Sequence, residues 1–418
     1  MTLGSKRVQP LTGVRVLDLT NVIAGPVATR MLAHLGAEVI KIELPWGRSV
    51  GNMAIFTTDK SQERPYNKNA GFNEVNRAKL SLSLDLADPR GKALFEDLVS
   101  ISDVVIENYS PRVMPNLGLT YDHLRTLRPD LVMVSMPALG RPGPWSDHIS
   151  FGPGTEGLGG MCHVTGYRDG PPGKPGNFYS DQTSAFHVAT AIMAAMWKRQ
   201  RTGRGKRLEV VLRDVTMAVI GEYFLEYQLI GRPPTRIGNH HPSVAPHNVY
   251  RCKGDDAWVV IAVASDTEFS HLADATGNPH WKTDERFSDM PSRLQNQDDL
   301  DSLIEEWTVQ HTPQEAMHRL QAHGVRAAAV LKAPEALADP QYRARGFIDS
   351  TRHPEAGDFK HPGVSFKTSA PLVSLGRRAP LFAEHSDWVI GDLLGLPPGT
   401  AEGLHAEGVA PLAPVVRK

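Results

Sequence analysis

The stretch "VRVLDLTNVIAGPVATRMLAHLGAEVIKIE", residues 14–43, decides the fold. It opens on a short apolar run (14–19), passes through "AGP" into the helix-patterned "VATRMLAHLG", and closes on a second apolar run, "AEVIKIE" (37–43). Strand, helix and strand within roughly thirty residues form a βαβ unit, which demands parallel strands. The rhythm then repeats. "LSLSLDL" (80–86) leads into "DPRGKALFEDLVSI", where Asp88 suits an N-cap and Pro89 the first helical position. "DVVIEN" (103–108) and "LVMVSM" (131–136) read as further strands. The economical expectation is an α/β fold built on an open, doubly wound parallel sheet, which takes its ligands at the carboxyl ends of its strands.

Outward from this core the pattern changes. Residues 44–75, with the polar run "TTDKSQERPYNKN", read as a surface excursion. "RLEVVL" (207–212) reads as a strand or edge segment, "MAVIGEYFLEYQLI" (217–230) as a helix, and "GRPPTRIGNHHPSVAP" (231–246) as a Gly/Pro-rich linker. From "AWVVIAVA" (257–264) onward, strands alternate with amphipathic helices, and "SDWVIGDLLGL" (386–396) reads as a closing helix. The expected boundaries are a large domain over 1–200, a linker over 201–245, a smaller α/β domain over 246–335, and a linker with a C-terminal part over 336–418.

At 418 residues the chain exceeds what one core usually serves, so two domains are expected. Its 45 basic and 46 acidic residues leave a net charge of -1, which argues against nucleic acid or an anionic membrane and for a small-molecule partner. Two cysteines, Cys162 and Cys252, are too few for a disulfide framework or a zinc cage and suit a reducing compartment. The opening "MTLGSKRVQP" lacks the apolar core of a signal peptide, and the longest apolar run, near Ala185–Trp197, is too short to cross a bilayer. The expected location is cytoplasmic.

The turn after the first strand, "LTNVIAGPVATRM", offers only Gly25 and no G-x-G-x-x-G, so a dinucleotide is not expected. It can present backbone N–H groups to a ligand at a helix N-terminus, although spacing alone favours a plain strand-to-helix turn. "SFGPGTEGLGG" (150–160) lacks the ending of a P-loop and reads as a flexible or tightly turning loop. His240, His241 and His247 have no acid or cysteine at ligand spacing, so no metal is expected. The basic run "WKRQRTGRGKR" (197–207) ends a helix and reads as a solvated end able to attract an anion.

"NFYSDQTSAFHVATAIMAAMWKRQRTGRG" (177–205) places one acid, Asp181, before a helix whose apolar residues extend nearly all round. Taken alone, such an Asp reads first as a cap, with Ser180 competing for the role. The backbone N–H groups and the positive dipole end would keep its carboxylate ionised in a dry setting, which suits a nucleophile.

Several of these stretches together, "LTGVRVLDLTNVIAGPVATRMLAHLGAEVIKIE", "NRAKLSLSLDLADPRG", "DVVIENYSPRVMPNLGLTYDHLRTLRPDLVMVSM", "TGYRDGPPGKPGNFYSD", "RTGRGKRLEVVLRDV" and "APLFAEHSD", resemble the class III CoA-transferases over nearly the whole chain. The resemblance implies a homodimer of two interlocked, ring-like chains. Each would have a Rossmann-like large domain made from N- and C-terminal parts and a small domain between them. It places the family's catalytic aspartate on Asp181, which attacks the donor thioester to form a mixed anhydride and then an aspartyl-CoA thioester. It assigns CoA contacts to Val22, Ile23 and Ala24, to Leu84, Asp85, Leu86 and Ala87, and to Asn108, Tyr109 and Ser110. Coenzyme A and its thioesters enter as substrates, with no tightly bound cofactor and no metal. The partners implied are an acyl-CoA, a small carboxylic acid and a second copy of the chain.

Departures from the family pattern refine this. Positions that are basic in formyl-CoA transferases read here as Leu44, Ala87 and Asn116, and Arg48, Arg77, Lys79, Arg90 and Arg112 stand nearby, each readable as an ordinary surface cation. "GNHHPSVAPHNVY" (238–250) replaces the glycine-rich loop of the formyl-CoA enzymes. The phrasing around 150–172 and 249–263 is similar to the succinyl-CoA-dependent branch typified by benzylsuccinate CoA-transferases, which makes succinyl-CoA the expected donor. The α-methylacyl-CoA racemases of the same family carry a His-Asp pair where this chain has Ser150–Gly152, which disfavours racemisation. A catalytically silent CoA-binding protein is the remaining alternative.

Overall fold

The computed structural model describes residues 9–48, 63–369 and 376–415. The described residues form two compact units, the first drawn from within Met1–Met161, Lys174–Leu229 and Arg343–Lys418, the second from Cys162–Gly173 and Ile230–Tyr342.

The first unit is organised by a six-stranded sheet: β1 (Arg15–Asp18), β2 (Glu38–Glu43), β3 (Leu80–Ser83), β4 (Val104–Glu107), β5 (Val132–Ser135) and β6 (Lys206–Glu209). The strand order is β3-β2-β1-β4-β5-β6 and every pairing is parallel. This is the doubly wound order in which the chain reverses direction between β1 and β4. The register Val16↔Val39 and Val16↔Val104 buries the same apolar row across three strands. Val16, Val39 and Val104 face one core cluster, while Leu17, Ile40 and Val105 face the other. A sheet covered on both faces needs such near-continuous apolar strands, and each fully buried aliphatic side chain contributes about 1.5–3 kcal/mol.

The helices that matter for the site are α1 (Ala24–His34), α2 (Pro89–Ser100), α3 (Gly152–Leu158), α4 (Tyr179–Thr202), α5 (Leu212–Val219) and α6 (Gly221–Ile230). Asp88 caps α2 by accepting from Arg90 N–H, with Pro89 at its start, as the sequence predicts. The 217–230 stretch is not one helix, because the chain breaks at Ile220 between α5 and α6, and α5 begins at Leu212, within the segment expected to continue the sixth strand. The glycine-dense 150–160 stretch is not a loop but contains α3. Its glycines serve close packing: a Cβ on Gly152 would lie 2.2 Å from Asp181 Oδ2, and one on Gly159 would lie 2.7 Å from Thr216 Cγ2. The closing segment is a π-helical turn at Trp388–Leu393 followed by a further helix at Thr400–Ala406.

Part of the expected excursion at 44–75 lies outside the described residues. The rest is mixed: Trp46, Glu63–Pro65 and Ala70 are exposed, whereas Asn67, Asn69, Phe72 and Asn73 are buried, and Asn69 caps a short helix at Ala70–Val75. The late segment returns to the edge strand β3. His385 N–H donates to Ser81 O at 2.9 Å, Ser81 N–H donates to His385 Nδ1 at 3.2 Å, and Asp85 N–H donates to Val409 O at 2.8 Å.

The second unit holds an antiparallel sheet of β7 (His247–Arg251), β8 (Trp258–Ala262) and β9 (Arg326–Ala329). Its core gathers Tyr250, Val259, Ile261, Phe269, Phe287 and Trp281. Arg293, fully buried, is satisfied by Ala245 O, Phe287 O and Asp266 Oδ1 and stacks over Phe269.

Candidate active site

The reversal of strand order leaves a crevice beyond the carboxyl ends of β1 and β4. The turns leaving these strands are tied to each other: Asn21 N–H donates to Asn108 Oδ1 at 2.7 Å, and Asn108 Nδ2 donates to Asn21 O at 2.8 Å. Two of the three expected CoA-contact groups, Val22–Ala24 and Asn108–Ser110, are thereby brought together. The third follows β3 at the sheet edge, where the side chains of Leu84 and Leu86 are buried in the core and only Asp85 and Ala87 offer surface. Ile23 and Ala24 are buried too, so this turn can serve a ligand chiefly through its backbone. α1 has no side-chain cap, which leaves its first N–H groups for that purpose. Gly25 is needed for contact rather than freedom, since a Cβ there would meet Thr20 Cβ at 2.2 Å.

Beneath the turn lies a buried polar network. Asp18 Oδ2 accepts from Lys79 Nζ at 2.9 Å and from Thr29 Oγ1 at 2.7 Å, while Asp18 Oδ1 accepts from Thr20 N–H at 2.9 Å and Thr20 Oγ1 at 2.5 Å. Lys79 Nζ also donates to Pro26 O and Asn76 Oδ1, and Lys41 Nζ donates to Thr20 O. Burial alone would raise the Asp18 carboxyl, but Lys79, Lys41 and the Thr20 hydroxyl outweigh it and hold it well below the usual carboxylate range.

Three of the five cations read as surface groups are in fact interior. Arg48 is enclosed by Glu43, Asn67 Oδ1, Pro380 O and the face of Phe72; Arg77 donates to Glu74 and Pro362 O; Lys79 holds Asp18. Arginine and lysine are buried only when paired: Arg48 and Arg77 pair with the nearby Glu43 and Glu74 and with the distant carbonyls of Pro380 and Pro362, whereas the partner of Lys79 is the distant Asp18. Arg90 and Arg112 are exposed, beside Asp88 and Asp147 respectively. A cleft of about 320 Å³ at the ends of β4, β5 and β6 instead presents Arg141 and Arg207 alongside Glu107, Tyr109 and Glu209. Arg207 belongs to the basic run expected to attract an anion. Arg141 carried no sequence signal, because only the fold places it there.

Asp181 lies in the first turn of α4, two residues inside the helix rather than ahead of it. Phe178 occupies the cap position in a left-handed conformation (φ 45°) and offers no capping side chain. Val22, which leads into α1, is likewise left-handed (φ 67°). For side chains of these shapes such backbones cost of order 1–3 kcal/mol and recur at functional sites. Val22, Ile23 and Phe178 all pack in the cluster that contains Ala185 and Val188 of α4, so the entrance of α4 and the first turn share one core.

The environment of the Asp181 carboxylate differs from the one expected. It is buried, and among the described residues no hydrogen bond reaches it. Burial first, and the neighbouring Glu156 carboxylate second, push it up from 3.8 to about 7. The cap is supplied from α3: Glu156, fully buried, accepts from Ser180 N–H through Oε1 at 3.2 Å, whereas its Oε2 has no partner. Thr155 Oγ1 stands 2.8 Å from Gly152 O and 3.0 Å from Ser180 Oγ, and Ser180 Oγ donates to Gly152 O at 3.1 Å. Gly152 and Glu156, four residues apart on one helix face, thus both address the start of α4. That spacing was the available signal for Glu156, masked by the density of glycine.

α4 is also less enclosed than its composition implies, because Phe186, Met193 and Trp197 remain exposed along one side. In the second unit, His240 meets two acids that local spacing could not show. His240, Asp298 and Asp301 converge, but Asp301 already accepts from His240, Asn248 and Tyr250. No helix among the described residues is long and apolar enough to cross a membrane.

Comparison with known proteins gives this geometry its context. Residues 11–386 match the family described as CoA-transferase family III. A succinyl-CoA–D-citramalate CoA-transferase of Chloroflexus aurantiacus is 34% identical, over 93% of this chain and 95% of that protein. A succinate–glutarate CoA-transferase of Agrobacterium fabrum is 33% identical, over 94% of this chain and 98% of that protein. A crystal structure of a CAIB/BAIF family protein from Brucella suis superposes with a TM-score of 0.85 at 30% identity, over 93% of this chain and all of that one. With the sheet order, the tied turns of the crevice and a match spanning most of its length, this chain is a member of CoA-transferase family III, an enzyme that transfers coenzyme A.

Proposed function

We propose that Asp181 is the acyl-accepting nucleophile of a CoA transfer from succinyl-CoA to a free carboxylic acid. The observation that carries this reading is a buried carboxylate with no hydrogen bond at the entrance of α4, backed by the bare backbone of Gly152. A carboxylate stripped of donors is a stronger nucleophile than a solvated one. Asp181 attacks the thioester carbonyl carbon, forming a C–O bond and breaking the C–S bond, and CoA leaves as thiolate. The thiolate then attacks the Asp181 carbonyl and expels the donor acid, leaving an aspartyl-CoA thioester. An acceptor carboxylate opens this thioester to a second anhydride, which CoA resolves into the new acyl-CoA and free Asp181.

Succinyl-CoA is supported as donor by the names of the relatives above, which pair it or succinate with other diacids. CoA is held by the backbones of Val22–Ala24 and Asn108–Ser110, with Asp85 and Ala87 at the edge of the site and Arg141 and Arg207, which share a cleft with Tyr109, as cations for its phosphates. Incubation with succinyl-CoA and hydroxylamine should leave a hydroxamate on Asp181, located by peptide mass spectrometry, with release of CoA. An active preparation without that adduct would sink the covalent route.

A second copy of the chain is proposed to cover the apolar side of α4 with Leu225 and Leu229 of α6, which are 61% and 84% exposed. Sedimentation equilibrium should return twice the chain mass at micromolar concentration; a monomer there would rule out the interlocked dimer.

A further inference from the structure

Glu156 has no part in the steps above, yet its placement is costly. A fully buried carboxylate with one unpartnered oxygen carries a desolvation penalty that something must offset. Two features hold it: the Ser180 N–H, one of the orphan donors of the first turn of α4, and the positive end of the α4 dipole. Both seat the Glu156 carboxylate beside the residue that follows Ser180. On the elements packed against the start of α4, the other charged groups are turned elsewhere. Arg30 of α1 pairs with Glu74, His34 lies in the last turn of α1, and Arg213 and Asp214 of α5 pair with each other; Glu156 is the charge acting on Asp181.

We propose that Glu156 is a positioning residue that drives Asp181 toward its acylated forms by repelling its free carboxylate. The inference rests on the nucleophile reading of Asp181. When Asp181 attacks a thioester carbonyl, its negative charge departs with the CoA thiolate, and the anhydride or thioester left on Asp181 is neutral. The repulsion therefore exists only in the free enzyme, and every covalent intermediate relieves it. The same repulsion makes Asp181 more basic, which strengthens it as a nucleophile. Glu156 touches no reacting atom and moves no proton in this scheme.

The test follows formation of the hydroxylamine-trapped Asp181 adduct from succinyl-CoA as a function of pH, in wild type, Glu156→Gln and Glu156→Asp, each checked for a cooperative melt. Glutamine keeps the size of the side chain and an oxygen for Ser180 N–H but removes the charge; aspartate keeps the charge and shortens the reach. The wild-type acid limb is expected near pH 7. Glu156→Gln should move it acidward by about one pH unit or more, and Glu156→Asp should leave it near the wild-type position. A purely structural cap predicts the opposite order, with glutamine benign and aspartate damaging, and that result overturns the proposal. If glutamine prevents folding, the wild-type limb and the aspartate variant decide: a wild-type limb below about pH 5, the ordinary carboxylate range, overturns it. Absence of any adduct in wild type removes the nucleophile reading and this one with it, whereas an adduct whose limb is unmoved in Glu156→Gln overturns this one alone.

Discussion

Asp181→Ala is expected to lose CoA-transfer activity by a factor on the order of 10⁴ or more, and at the same time to fold more stably above neutral pH. The first effect follows because no other group in the proposed sequence can carry the acyl intermediate. The second follows from the sign of the proton linkage. The folded chain holds the Asp181 proton up to about pH 7, while the unfolded chain releases it near 3.8, so the folded state binds more protons between those values. The penalty is absent below pH 4, grows through the interval, and is complete above pH 7, where it is on the order of 4 kcal/mol. Removing the side chain removes the penalty. Urea denaturation should therefore show variant and wild type close together at pH 4 and the variant clearly more stable at pH 8. A variant that is less stable at pH 8 would mean that Asp181 has favourable partners after all. Loss of activity with gain of stability is the signature of a strained site, and a structural cap would lose both or neither.

Asp18→Asn carries the largest expected cost in stability, about 3–5 kcal/mol, because it leaves the buried Lys79 amine, which burial already pushes down to about 7, without the counter-ion that sustains its charge. Asparagine can still accept from Thr20 N–H, so the loss isolates the ionic part of the network. Asp18 is held below its ordinary range, and its stabilising contribution is therefore complete above about pH 4 and is lost as acid protonates it. The double variant Asp18→Leu/Lys79→Met should recover much of the loss, since two apolar side chains need no partner. Urea midpoints of the two variants measure both effects, and a single variant within about 0.5 kcal/mol of wild type would show that the pair is not what fixes the first turn. The pair lies directly under Val22–Ala24, so the single variant should also weaken CoA binding more than turnover.

How much of this was legible beforehand depends on the range over which each feature is determined. The βαβ units were readable because apolar periodicity and caps are local: β1, β2, β4 and β5 each fall within the runs quoted, and Asp88 caps where expected. Asp181 was singled out through the resemblance to the family, but its surroundings were not legible. The helix begins at Tyr179, and the cap comes from Glu156 on another element. Lys79 looked like a surface cation because nothing local pairs it with Asp18, 61 positions away, and Arg48 and Arg77 did because the segments that enclose them, at Pro380 and Pro362, come from the far end of the chain. The glycines of 150–160 resemble a loop in composition, yet they permit α3 to approach α4 and α5 closely, and that meaning exists only once the helices are assembled.

The hydrogen bonds between Ser81 and His385 bear on how the protein is made. During synthesis β3 emerges some three hundred residues before the segment that covers it, separated by 304 positions in the chain. Until then the nascent sheet presents an edge with open donors and acceptors, a template for pairing with another chain. A ribosome stalled before residue 385, or a chain clipped there, would release a nearly complete sheet with an unsealed border. Such fragments are expected to collect in aggregates rather than persist as inactive monomers, which makes the last stretch of the chain a guard on solubility as well as part of the fold.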